Sequence, residues 1–168
     1  MKYTISPEAQ MALAAYGMRA EITPTGQTVV LSSVGEKLFV AEPPTPHWPN
    51  TYIQRWYSFA TSREIVTIVR HIALPAYLAQ GAPPRSLNDS YHSEGPWFDV
   101  IPEASAEIIP LWAAHGLRHA AMVAPQDIFA QLSTEEFVAE ISSLLKLTLR
   151  TFATEAEARQ WLMSLPLD

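Results

Sequence analysis

The densest set of chemistry-bearing side chains is DSYHSE (89–94), where Asp89, Ser90, Tyr91, His92, Ser93 and Glu94 are consecutive. A serine, a histidine and an aspartate are the groups of a nucleophilic triad, which works when they converge from separate elements on one point. Neighbouring residues of an extended chain cannot do this, because their side chains point to opposite sides. No G-x-S-x-G turn, which would lift a serine above a sheet, occurs in the chain. The expectation is a polar loop that bonds its own backbone and serves binding or interaction, with no catalytic residue. A second polar point is Asp127 in APQDIF (124–129). A helix opening there would either be capped by the carboxylate or present its backbone donors to an anion.

Other chemistries find little support. The histidines, His47, His71, His92, His115 and His119, form no H-E-x-x-H or H-x-H pair, and Gly116 separates the last two. There is no cysteine, hence no thiolate ligand, disulfide or thiol nucleophile. Neither G-x-G-x-x-G nor G-x-x-x-x-G-K-[ST] is present. No metal or cofactor is expected. The net charge is −6 and the 11 Lys and Arg are scattered, which argues against a nucleic-acid surface. No run approaches the roughly 20 apolar residues of a membrane span. The N-terminal stretch is too short and interrupted for a secretory signal, so the expected setting is the cytoplasm.

Aromatic residues are the remaining candidates. Many should fill the core, but Tyr91, Trp97 and Phe98 flank Gly95 and Pro96, where a core role is less automatic. They are expected to line a hydrophobic groove or a dimer contact.

The elements that must position these residues are well punctuated. Ser6-Pro7-Glu8 is a helix start. TVVLS (28–32) and KLFVA (37–41) flank a turn at Gly35 and predict a hairpin, and YIQRWYSF (52–59) predicts a strand. Three capping boxes, Thr61/Glu64, Ser133/Glu136 and Thr154/Glu157, open helices. Pro75 and Pro110 should kink theirs. RSLNDS (85–90), HAAMV (119–123) and LTLRTF (147–152) alternate with those helices as strands. Alternation of this kind implies parallel strands joined by helical crossovers. The expected fold is α/β, with a mixed, largely parallel sheet of about 4–6 strands. Residues 1–26 form an N-terminal extension with a short helix, and residues 27–168 a single domain.

From YIQRWYSFATSREI, through RSLNDSY and HGLRHAAMVAP, to RTFATEAEARQWL, the chain resembles the bacterial STAS and SpoIIAA-like group, the anti-sigma-factor-antagonist fold. The resemblance covers roughly the last 120 residues. Phosphorylatable members carry Asp-Ser-Ser-Gly at a helix start. Here the corresponding stretch is Asn88-Asp89-Ser90-Tyr91-His92-Ser93-Glu94-Gly95, which lacks Ser-Ser-Gly and leaves Ser90 and Ser93 as candidate phosphorylation sites. The resemblance implies a non-enzymatic regulatory or protein-interaction module, with a protein partner or a second copy as its target. The alternative is a carrier or sensor of a small apolar ligand or lipid, held between sheet and helices.

Overall fold

The computed structural model describes residues 3–144 and 147–167. Seven strands form one sheet in strictly sequential order: β1 (Arg19–Ile22), β2 (Thr28–Leu31), β3 (Lys37–Ala41), β4 (Thr51–Phe59), β5 (Arg85–Glu94), β6 (His119–Val123) and β7 (Thr148–Phe152). The pairings from β1 to β4 are antiparallel and those from β4 to β7 parallel. The class is α/β with a mixed sheet, as expected, but the strands number seven rather than about four to six. The unforeseen one is β1. Its residues, RAEI, carry too short an apolar pattern to announce a strand, and pairing with β2 through Ile22 and Thr28 makes it one.

Helix α1 (Pro7–Ala14) precedes β1. Between β4 and β5, α2 (Ser62–Ile68) runs through a π-helical turn (Val69–Ala73) into α3 (Leu74–Ala79). Between β5 and β6, α4 (Ile101–Glu103) runs through a second π turn (Ala104–Ile108) into α5 (Ile109–Ala114). Helix α6 (Ile128–Leu144) joins β6 to β7, and α7 (Glu155–Ser164) follows β7. Right-handed crossovers that always step to the next strand place their helices on one face. Phe39, Tyr52 and Met122 accordingly pack against Ile72, Tyr77 and Phe137. Residues one step out of phase, Ile53, Leu87, Ala121 and Val123, face Ala158 and Leu162 of α7 on the other side.

The two π turns are the work of proline. Pro75 and Pro110 have no N–H, and their rings crowd the carbonyl four residues back. The turn before each is widened, so that Leu74 N–H donates to Val69 O and Ile109 N–H to Ala104 O. Arg70, within the first π turn, bonds Glu103 and Glu107 at 2.8 and 2.7 Å and joins the two helical segments. Exposed pairs of this kind contribute little energy, but they fix spacing.

Two of the three expected capping boxes are formed, at Thr61/Glu64 and Thr154/Glu157. The third, at Ser133/Glu136, is not. Helix α6 begins earlier, capped by Asp127, whose Oδ1 accepts from Phe129 N–H and Ala130 N–H at 3.0 and 2.9 Å. Ser133 is fully buried inside the helix and donates back to Phe129 O.

Tyr52, Tyr77 and Trp112 form an aromatic trio in the core, with ring centroids 4.7–5.6 Å apart. The Tyr52 hydroxyl donates to Ala73 O, whereas the buried Tyr77 hydroxyl has no partner among the described residues. Burial, partly offset by Arg118, pushes the Tyr77 phenol from 10.0 up to about 12. Between these values the folded chain keeps a proton that the unfolded chain has shed. This contribution is therefore fully present below pH 10 and is lost as pH rises toward about 12. The expected slope is about 1.4 kcal/mol per pH unit for each such tyrosine, and Tyr52, raised by burial and by Tyr3, acts in the same sense. Tyr77→Phe should leave stability unchanged or slightly higher at neutral pH and flatten the alkaline loss. Urea midpoints from neutral to alkaline pH measure this.

Candidate functional site

Strand alternation divides the polar cluster at 89–94 between surfaces. Asp89 and Ser90 point to opposite faces of the sheet: Asp89 bonds Arg55, and Ser90 lines a cavity beneath the helices. The β4–β5 register moves from Arg55↔Asp89 to Tyr57↔His92, so β5 carries one extra residue there. This bulge shifts the alternation. It brings Ser93, three residues after Ser90, to the same cavity. The expected loop is thus strand as far as Glu94. The stretch has no apolar alternation to announce a strand, and pairing with β4 supplies what the side chains do not.

The cavity measures about 140 Å³ and lies between the β4–β7 part of the sheet and the helices. Its walls are apolar: Val69, Ala104, Ile108, Met122, Phe137 and Leu149. Three of these sit in the proline-driven π turns, so the widened backbone forms the roof. The floor is polar, with Gln54 on β4 and Ser86, Asn88 and Ser90 at alternate positions of β5. Gln54 and Asn88 are register partners, yet Oε1 of the one and Oδ1 of the other are buried without a hydrogen bond among the described residues. The indole N–H of Trp112, in the wall and 4% exposed, is likewise without an acceptor there. Buried polar groups almost always find partners, and three orphans around one cavity are a concentration that packing does not explain.

The rim lies at the carboxyl ends of β4 and β5, where open α/β sheets present their ligand sites. Tyr57, Ser58, Glu94 and Trp97 form it. Trp97 packs on Phe137 at 5.4 Å, and its backbone N–H donates to Ser133 Oγ at 3.0 Å. Gly95 N–H donates to the cap Asp127 at 3.2 Å. The residue that starts α6, Asp127, and one within its second turn, Ser133, therefore also hold the rim loop. Gly95 adopts φ +75°, and a Cβ there would run into the Phe59 ring, so the turn and the close approach both favour glycine.

Of the residues singled out in the sequence, Ser90, Ser93 and Trp97 line the cavity. Ser90 is 7% exposed, and the Ser93 hydroxyl donates to Ser90 O. Phe98 packs against the core without reaching the cavity. Tyr91 is on the surface, its hydroxyl accepting from Gln126 Nε2, and the exposed His92 stacks on Tyr57. Asp127 is a helix cap rather than part of an anion site. Gln54, Asn88 and Trp112 were missed. The signal that could have found the first two is polarity at alternate positions of strands buried on both faces, where parallel sheets are ordinarily apolar.

On the opposite face, one guanidinium serves three carboxylates. Arg55 meets Glu42 at 3.1 Å, Asp89 at 2.6 Å and Glu155 at 2.7 Å. Burial works against its charge, but Glu155 and then Asp89 outweigh it and raise the guanidinium above its ordinary value. Arg85, buried and with its affinity for the proton lowered by that burial, donates to Leu165 O at 2.6 Å and closes the C-terminal end of α7.

No helix among the described residues is long and apolar enough to cross a membrane. Comparison of the chain with protein-family models, with curated proteins and with solved structures finds no match.

Proposed function

We propose that the chain binds a small, mostly apolar molecule in this cavity and acts as its carrier or sensor without turning it over. The observation that carries this reading is an apolar wall combined with polar atoms that have no protein partner, the make-up of a site that fixes a ligand's orientation. The volume of about 140 Å³ is close to the roughly 150 Å³ of a cavity that takes up benzene. The occupant is thus ring-sized or short-chained rather than a whole long acyl chain. Placement of Asp89 and Ser90 on opposite faces favours binding over turnover.

Toluene is the direct probe, read by the fluorescence of Trp56, Trp97 and Trp112 and by thermal melting. Saturable binding should raise Tm by about 5–10 °C at a hundredfold excess over Kd. Ala120→Leu, whose larger side chain enters the cavity from β6, should weaken binding at least tenfold while still melting cooperatively. An unmoved Tm and fluorescence in the native chain with toluene and with its polar ring analogues alike, or full affinity in A120L, would sink the reading.

A second reading, a protein-interaction module of the STAS-like type, is favoured by Ile128, Phe129 and Leu132. These are 58%, 57% and 45% exposed on the first turns of α6, beside the rim loop. The two readings part at Ala120→Leu, which silences the first and leaves the second untouched.

A further inference from the structure

We infer that the occupant of the cavity is electrically neutral and carries a hydrogen-bonding group of the carboxamide or hydroxyl kind. This rests on the cavity being a ligand site, and it concerns what the site accepts.

Among the described residues, the walls and floor contain no lysine, arginine or histidine, and the one charged residue there is the exposed Glu94 at the rim. Two basic side chains pack on the rim's Tyr57 ring: Lys37 lies 4.8 Å from its centroid, and His92 stacks on it at 5.8 Å. Arg55 lies on the opposite face of the sheet, committed to three carboxylates. A carboxylate or phosphate drawn inside would lose its water and gain no counterion, which is strongly unfavourable in a low-dielectric site. Glu94 and the net charge of −6 add repulsion on approach. A purely hydrocarbon occupant, in turn, would leave Gln54, Asn88 and Trp112 as unpartnered as they now are.

The polar groups specify the complement. Each side-chain amide offers a donor and an acceptor, and the indole N–H is a donor only. The two orphan amide oxygens of Gln54 and Asn88 are acceptors, so they call for donors: a primary carboxamide can donate to both, an alcohol or a phenol to one of them. One that also accepts can take the Trp112 N–H. Ser86 and Ser90, flanking Asn88 along the strand, extend the polar track about 7 Å in either direction. The apolar body of the ligand then lies against Val69, Ile108 and Phe137.

The test uses three ring compounds, the hydrocarbon toluene and the equally shaped pair benzamide and benzoate, titrated at neutral pH by calorimetry and by NMR of the tryptophan indole N–H signals. Benzamide should bind about tenfold more tightly than toluene, the effect of one well-made buried hydrogen bond. Benzoate should bind about a hundredfold more weakly than benzamide. The Trp112 indole signal should move with benzamide and stay with toluene. In the Gln54→Leu/Asn88→Leu double variant, benzamide should fall to the level of toluene while toluene itself is retained. Trp112→Phe, which keeps the ring and removes the N–H, is the milder check should the double variant not fold. A benzoate affinity within tenfold of benzamide, or toluene binding as tightly as benzamide, overturns the inference and leaves the cavity a ligand site. Failure of all three to bind overturns both.

Discussion

Replacing Arg55 by methionine should lower the unfolding free energy by about 3 kcal/mol, the scale expected when one partner of a largely buried ionic cluster is removed. The side chains of Arg55, Glu42 and Asp89 are 19%, 20% and 15% exposed and that of Glu155 is 40%, so solvent screens Glu42 and Asp89 only in part and Glu155 more. The variant would hold Glu42, Asp89 and Glu155 together with no cation between them. The cluster links the chain just after β3 to β4, β5 and the first residue of α7, 100 positions further on. Part of the loss should appear as loosening of α7. Urea denaturation should give a lower midpoint at an unchanged slope. Glu155→Gln added to Arg55→Met should recover about 0.5 kcal/mol, since it removes one of the repelling charges, itself partly screened by solvent. A loss below about 1 kcal/mol, or no recovery in the double variant, would show that water already satisfies these carboxylates.

Trp112→Ala should cost about 4 kcal/mol, the usual price of deleting a large buried aromatic side chain. Its ring stacks on Tyr77 at 4.7 Å and meets Tyr52 at 5.6 Å, and it forms one wall of the cavity. Deletion therefore has two consequences at once: the trio loses its centre, and the cavity gains the volume of an indole. Added indole should refill the space and restore a large part of the lost Tm by mass action, while benzene-sized probes bind the enlarged cavity less selectively. If Tm falls and indole does nothing, the helices have collapsed into the gap, and the cavity is a yielding space rather than a shaped one.

Much of this architecture is legible in the sequence wherever a local rule acts alone. Ser6-Pro7, the capping boxes at Thr61 and Thr154, the hairpin at Gly35 and the β6–α6–β7–α7 order all follow from backbone donors and side-chain periods. Ser133/Glu136 fits the same capping rule and fails because Asp127, six residues earlier, offers its carboxylate first. β1 is hidden because four residues with two charges become a strand only when β2 is alongside. Pro75 and Pro110 announce kinks. That both resolve as π turns facing the same strands is a tertiary outcome.

The site was harder to read, for a physical reason. The dense polar run 89–94 attracts attention because its residue types are reactive, whereas the cavity depends on which way each side chain points. Period-2 alternation and one bulge send Ser90 and Ser93 inward, Asp89 to the ionic cluster and Tyr91 to the surface. Gln54 and Asn88 are unremarkable by type and become notable once their oxygens are enclosed without partners. Trp112 reads as an ordinary core residue, and its orphan N–H exists only in three dimensions.

The strictly sequential strand order has a consequence for how the chain comes into being. Each strand settles beside the one made just before it, so no slot in the sheet must be kept open for a later arrival. A chain emerging from the ribosome can therefore extend its sheet edge by edge, with the crossover helices closing the cavity side as they appear. The other face is covered chiefly by α7, with Trp48 of the β3–β4 connection beside it. Ile53, Leu87 and Ala121 stay bare until α7, which follows the last strand of the sheet, has left the exit tunnel. That interval, rather than any step in building the cavity, is when the nascent protein is most exposed to unwanted association.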